Sequence, residues 1–254
     1  MRLSTLALGL AIIVFGQAAQ AGPAPDQAAP AQTGEAREPS VADVREAVRD
    51  IAFDPSRFFP SPLVKDRSIL RITYTGDDYG WPVHAIAVAK GCVDDEKQPK
   101  DKCASRLRAR MVRAPAPDGM ARPRQRGVRL VGQLVERKAT TPAQIRAALS
   151  QIKPEWVEAD LRTCPGAAEV LKRSAEAVWV PEAVADPQPT DELNLVLHAD
   201  IVKIEIQQYA RLTTYRGWLA ENSPAVWAQS LAAVLEPCWR AADVPAPWEA
   251  PTDR

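Results

Sequence analysis

Ile69-Leu70-Arg71-Ile72-Thr73-Tyr74-Thr75-Gly76-Asp77-Asp78-Tyr79-Gly80-Trp81-Pro82-Val83-His84-Ala85-Ile86-Ala87-Val88 holds two runs of β-formers around a cluster of turn residues. Ile69 to Thr75 and Trp81 to Val88 read as paired strands, and Thr75 to Gly80 supplies the turn chemistry between them. Further on, Arg106, Arg108 and Arg110 alternate with Leu107, Ala109 and Met111. That period of two predicts a half-buried strand with its arginines outward. These strands are expected to lie in an antiparallel sheet, and the fold is built around them.

Working outward, Ser40 caps a helix whose Val41, Val44, Val48 and Ile51 recur at helical spacing, with Asp43 at the capping-box position and Asp54-Pro55 as the stop. Ala114 to Gln125 reads as a surface loop and Val128 to Val135 as another strand. Thr141-Pro142-Ala143-Gln144 opens a helix. Pro154 is expected to restart a helix through Trp156, Val157 and Leu161, and Pro165 starts another through Val170 and Leu171. After a Pro-rich link, Val180 to Pro189, alternation resumes at Leu193, Leu195 and Leu197. It changes parity at Ala199-Asp200 and continues at Val202, Ile204 and Ile206, which places a bulge or turn at the change. Leu212, Thr214 and Tyr215 suggest a return strand, and Ser223-Pro224 opens the last helix. Strands and helices in this order predict an α+β fold, mainly antiparallel sheet with packed helices.

The ends carry information of a different kind. Arg2 precedes an apolar run from Leu3 to Phe15, and small residues follow, ending in Ala19-Gln20-Ala21. This is the pattern of a secretory signal peptide over residues 1–21, cut after Ala21. Residues 22–39 hold prolines and alanines but no Val, Ile, Leu or aromatic residue, a composition that reads as a disordered linker. Residues 40–243 then make one α+β domain, with a sub-boundary considered near 180–190, and 244–254 is expected to be a flexible tail. The richness in Ala, Pro and Arg points to a bacterium with a GC-rich genome, hence to a periplasmic or secreted protein. Removing the leader costs only Arg2 from the charge count, leaving 31 basic and 32 acidic residues. That balance argues against a bulk nucleic-acid binder, and no stretch of the mature chain is long and apolar enough to span a membrane.

Four cysteines fit an oxidising compartment. Cys92 and Cys103 bracket a short charged excursion that has no apolar anchor beyond Val93, so they are expected to pair. Cys164 and Cys238 then form the second disulfide. A zinc site is the competing reading, but there is no C-x-x-C and both histidines lie far from any cysteine.

The last quarter, from Leu193 through His198-Ala199-Asp200 and Ile204-Glu205 to Trp218 and Ser223-Pro224, resembles a group of small secreted bacterial α+β proteins with no assigned activity. The resemblance implies neither a reaction nor a catalytic residue.

The motifs G-x-S-x-G, H-E-x-x-H, G-x-x-x-x-G-K and G-x-G-x-x-G are all missing. His198 and Asp200 are the best catalytic fragment, a histidine beside a carboxylate that needs a facing serine to make a hydrolase. His84 shares a strand face with Ile86 and Val88 and reads as a satisfied, partly buried histidine. Trp156, Trp179 and Trp227 sit at core spacings, and Trp239 and Trp248 near the end pack or stack on a partner. No metal or cofactor is expected. From Lys97 to Arg129 there are eleven Lys or Arg against Asp101 and Asp118, while Pro154 to Glu192 holds nine acidic and three basic residues. One reading is an anion-binding face of Arg106, Arg108, Arg110, Arg113, Arg122, Arg124, Arg126 and Arg129, which takes an anionic envelope component or an acidic protein. The other is that basic strands and acidic segments neutralise each other. The leading expectation is therefore an exported, non-catalytic binding protein. A periplasmic hydrolase using His198 and Asp200, and a structural or assembly protein of the envelope, are the alternatives.

Overall fold

The computed structural model describes residues 39–60, 68–77, 79–90, 107–116, 123–176, 200–208, 211–218 and 223–249. The paired strands of the opening motif form β1 (Ser68–Gly76) and β2 (Trp81–Lys90), directly opposed from Leu70–Val88 to Tyr74–His84. β3 (Leu107–Arg113) pairs with β2, and β4 (Glu155–Asp160) pairs with β3. β5 (Ile201–Gln208) adds to the other side of β1, and β6 (Arg211–Trp218) pairs with β5. With the two-residue β7 (Arg240–Ala241) the sheet runs β6-β5-β1-β2-β3-β4-β7, antiparallel at every step. β5 follows the Pro-rich link in the chain and β1 precedes it, and the two strands pair.

Helices cover both faces. On one side lie α1 (Val41–Ala52), α2 (Pro123–Glu136) and α3 (Pro142–Ile152). Their buried residues Val48, Leu130, Val131, Leu134 and Leu149 join Ala85, Ala87, Ala89 and Val112 of the sheet in a first core. Phe58 and Phe59, at the end of a short 3-10 turn, are 1% and 0% exposed there, and each contributes on the order of 2 kcal/mol by burial. On the other side α4 (Ala167–Glu176) and α5 (Pro224–Leu235) close a second core over Ile72, Ile86, Met111 and Ile204.

The caps read from sequence are present. Asp43 N–H donates to Ser40 Oγ and Ser40 N–H to Asp43 Oδ2, at 3.3 and 2.7 Å. Thr141 and Gln144 exchange the same pair of bonds. Cys164 and Cys238 are disulfide-bonded, tying the loop before α4 to the turn after α5; Cys92 and Cys103 lie outside the described residues.

Three expectations need correction. Residues 128–135 are helix, not strand, and α2 already begins at Pro123, inside the expected loop. Its buried positions Gly127, Leu130, Val131 and Leu134 follow helical spacing, while Val128 and Val135 face solvent at 39% and 37% exposure. Residues after Pro154 form β4 rather than a helix. Lys153 takes a left-handed turn (φ 56°) that ends α3, and six residues suffice for a strand but not for an amphipathic helix. The tail is not loose up to residue 249. Ala246 and Trp248 are buried in the first core, Arg146 donates to the Pro247 and Trp248 carbonyls, and Trp156 Nε1–H donates to the Val244 carbonyl.

Candidate functional site

The β3 arginines do not form one outward face. Alternation puts Arg108 and Arg110 on the α1–α3 side and Arg113 on the α4–α5 side. Arg110 is 3% exposed, contrary to the outward reading. Its Nη1 donates to the Phe58 carbonyl at 2.8 Å, its Nε to Glu158 at 3.3 Å, and its guanidinium lies 4.4 Å from the Phe59 ring centre. A buried guanidinium needs this kind of enclosure, since leaving it unpaired costs several kcal/mol. Arg108 meets Glu158 at 3.6 Å, and Arg113 bridges Glu155 at 2.6 Å and Glu236 at 2.9 Å. Burial works to lower the Arg113 pKa, but the bonds and charges of Glu236 and Glu155 outweigh it and hold the group above its ordinary value. These pairs were legible as mirrored spacing. Basic positions 108, 110 and 113 meet acidic positions 160, 158 and 155 when β4 runs antiparallel to β3. Arg124 pairs with Asp77 at 2.8 Å. Arg126 and Arg129 of α2 make no ion pair among the described residues, and Arg106 and Arg122 lie outside them.

Asp200 lies at one end of the sheet. Tyr74 Oη donates to its Oδ2 at 2.8 Å, and the Asp77 N–H to its Oδ1 at 3.4 Å. Asp77 is fully buried with φ 56°, and its Oδ1 accepts from the Tyr79 N–H. Asp200 thus fastens the β1–β2 turn to the start of β5. The Tyr74 ring stacks on His84 directly across the strands, centres 4.9 Å apart, and Arg113 sits opposite His84 on β3. Burial first, then the charges of Arg113 and Arg126, push the His84 pKa down to about 4, so the imidazole is neutral at pH 7. Burial and Asp200 push the Tyr74 hydroxyl up, so it stays protonated. His84 is held by ring stacking rather than by a hydrogen bond among the described residues. No serine, threonine or cysteine side chain among them bonds to Asp200 or His84, and His198 lies outside them. The row is therefore polar, and among the described residues no nucleophile is assembled in it.

One depression of about 220 Å³ lies beside α2 and α3, lined by Pro115, Arg129, Gln133, Arg137 and Ile152. It is smaller than most small-molecule sites, and Arg137 is already engaged by Gln151.

β6 is exposed along most of its length. On the α1–α3 side, Lys203, Leu212, Thr214, Arg216 and Trp218 are exposed, with Glu205 part-buried among them. Leu212 and Trp218 are each 50% exposed. Among the described residues no strand pairs with the outer edge of β6. Reading the sequence for a return strand located β6 but not the exposure of its apolar side chains. The signal was the alternation of Leu212 and Trp218 with Thr214 and Arg216 on a single face. Among the described residues no helix is long and apolar enough to cross a membrane. No family model, no curated protein and no solved structure matches the chain.

Proposed function

We propose that this is an exported, non-catalytic binding protein of the cell envelope that engages a protein partner through its β5–β6 wing. The observation that carries the reading is an edge strand of eight residues, unpaired on its outer side among the described residues and bearing half-exposed Leu212 and Trp218. Such edges bind by strand addition, in which main-chain bonds give affinity and alternate side chains give specificity. The β3 arginines are poor candidates for an anionic ligand, because Glu155, Glu158 and Glu236 already neutralise them. Asp200, engaged by Tyr74 and the Asp77 N–H, is equally spoken for and does not favour a hydrolase.

A photo-crosslinking residue at position 212 or 218, with Gln151 on α3 as control, tests this in cells that export the protein. Protein adducts at 212 and 218 but not at 151 support the reading. Adducts at all three positions alike, or at none, overturn it.

A further inference from the structure

Resting on that reading, we infer that the occupant of the wing is a second copy of this chain, with β6 antiparallel to its counterpart (primed) across a two-fold axis at Tyr215, so that Leu212 faces Trp218′.

A two-fold axis perpendicular to a sheet keeps each face on its own side. Residues paired across it must therefore share a face, which restricts β6 to registers two residues apart. The register centred on Tyr215 sets Leu212 against Trp218′, Thr214 against Arg216′, and Tyr215 against itself. Sliding by two residues one way opposes Arg216 to Arg216′, and like charges directly opposite destabilise a strand pair. Sliding the other way opposes Leu212 to Arg216′ and carries Trp218 beyond the paired stretch. Only the central register matches the two exposed apolar side chains to each other.

The strands behind β6 extend the match. In the protomer, Ile201 lies opposite Trp218, Lys203 opposite Arg216, Glu205 opposite Thr214 and Gln207 opposite Leu212. Across the axis the α1–α3 side then reads Ile201–Trp218–Leu212′–Gln207′ and Lys203–Arg216–Thr214′–Glu205′. The first row has three apolar members, Ile201, Trp218 and Leu212′, with Gln207′ at its end. In the second, Arg216 reaches over the short Thr214′ toward Glu205′, a carboxylate 14% exposed and already beside Lys203 at 2.9 Å in its own protomer. On the α4–α5 side the axial row is Ile204–Tyr215–Tyr215′–Ile204′, which makes the second core continuous from one copy to the next. Gly217 leaves space for it: Tyr215 lies along its own strand over Gly217, where a Cβ would collide with the ring and hydroxyl. With 32 basic and 32 acidic residues in the full chain, net charge does not oppose self-association.

The test is sedimentation equilibrium of the exported chain, disulfides intact, from low to several hundred micromolar, with deuterium exchange of residues 211–218 followed over the same range. The expected result is a mass that doubles with concentration while the β6 amides become protected. Trp218→Lys and Leu212→Lys, both on exposed positions that leave folding intact, each weaken the dimer by about tenfold or more. Thr214→Glu decides the register. It faces Arg216′ in the inferred pairing and strengthens the dimer, but faces its own copy in the slid one and weakens it; the Glu205 neighbour is present in monomer and dimer alike. A monomer throughout, a dimer indifferent to Trp218→Lys, or a dimer weakened by Thr214→Glu overturns the inference. If the purified chain is monomeric while crosslinks at 212 and 218 capture a different protein, self-pairing fails and the binding reading stands. If neither copy nor partner is captured, both fail.

Discussion

Replacing His84 by Phe removes a titration while keeping the aromatic stack on Tyr74. The histidine pKa falls from its ordinary 6.5 to about 4 in the folded protein. Between those values the unfolded chain takes up a proton that the folded one refuses. Stability is therefore whole above pH 6.5, declines as pH falls through the window, and is fully lost from this source below about pH 4. The penalty grows by about 1.4 kcal/mol per pH unit within the window, which integrates to about 2 kcal/mol between pH 7 and pH 5. Urea unfolding of wild type and His84→Phe at pH 7, 6 and 5, followed by tryptophan fluorescence without reductant, isolates the term by the difference between the two chains. Wild type should lose about 2 kcal/mol more than the variant over that range. Equal losses would refute the claim that the stacked, arginine-flanked site excludes the charged imidazole.

Arg110→Met should cost about 2 kcal/mol in urea unfolding, below the usual penalty for breaking a buried pair because Glu158 keeps Arg108. Glu158→Gln should cost less when added to Arg110→Met than when made alone, and equal costs in the two backgrounds would count against the pairing. Gly127→Ala should cost about 1–3 kcal/mol, since its Cβ would stand 2.5 Å from the Pro82 carbonyl oxygen and force α2 off β2; an unchanged melting temperature would contradict that contact. Cys164→Ser with Cys238→Ser should cost about 4 kcal/mol in the same assay, because the bond closes a loop spanning 74 positions in the unfolded chain.

What the sequence disclosed depended on which force ruled each segment. The β1–β2 pair, α1, α3 and α5 were legible because local signals agree with the final packing: alternation, capping boxes and a proline at the first turn. α2 was misread because β-branched Val128, Val131 and Val135 outweighed the spacing of Gly127, Leu130, Val131 and Leu134, the residues that meet the sheet. β4 was misread because Pro154 usually announces a helix, and its pairing with β3 after a left-handed Lys153 is a tertiary matter. Arg110 looked like a surface residue because alternation reports only that a strand has two faces. It cannot say that helices cover both. The facing carboxylates of β4 were needed, and they lie some 45 residues away along the chain.

The side chains along the sheet also explain which strands the helices cover. Where α1 and α2 sit, β2 presents Ala85, Ala87 and Ala89, all fully buried, and small residues let a helix approach closely. On the same side of the wing, β5 presents Lys203, Glu205 and Gln207 and β6 presents Thr214 and Arg216, which could not lie under a helix without unpaired charge. The open wing thus follows from its own residues. Leu212 and Trp218 are the exceptions on that polar surface. Val41 on α1, Tyr79 in the β1–β2 turn, Val226 on α5, and Val128 and Val135 two turns apart on α2 are also exposed, and scattered apolar side chains of this kind are ordinary. Leu212 and Trp218 stand at opposite ends of one strand, too far apart to cover each other within the protomer. An antiparallel neighbour centred on Tyr215 brings the two ends together, and it does so twice.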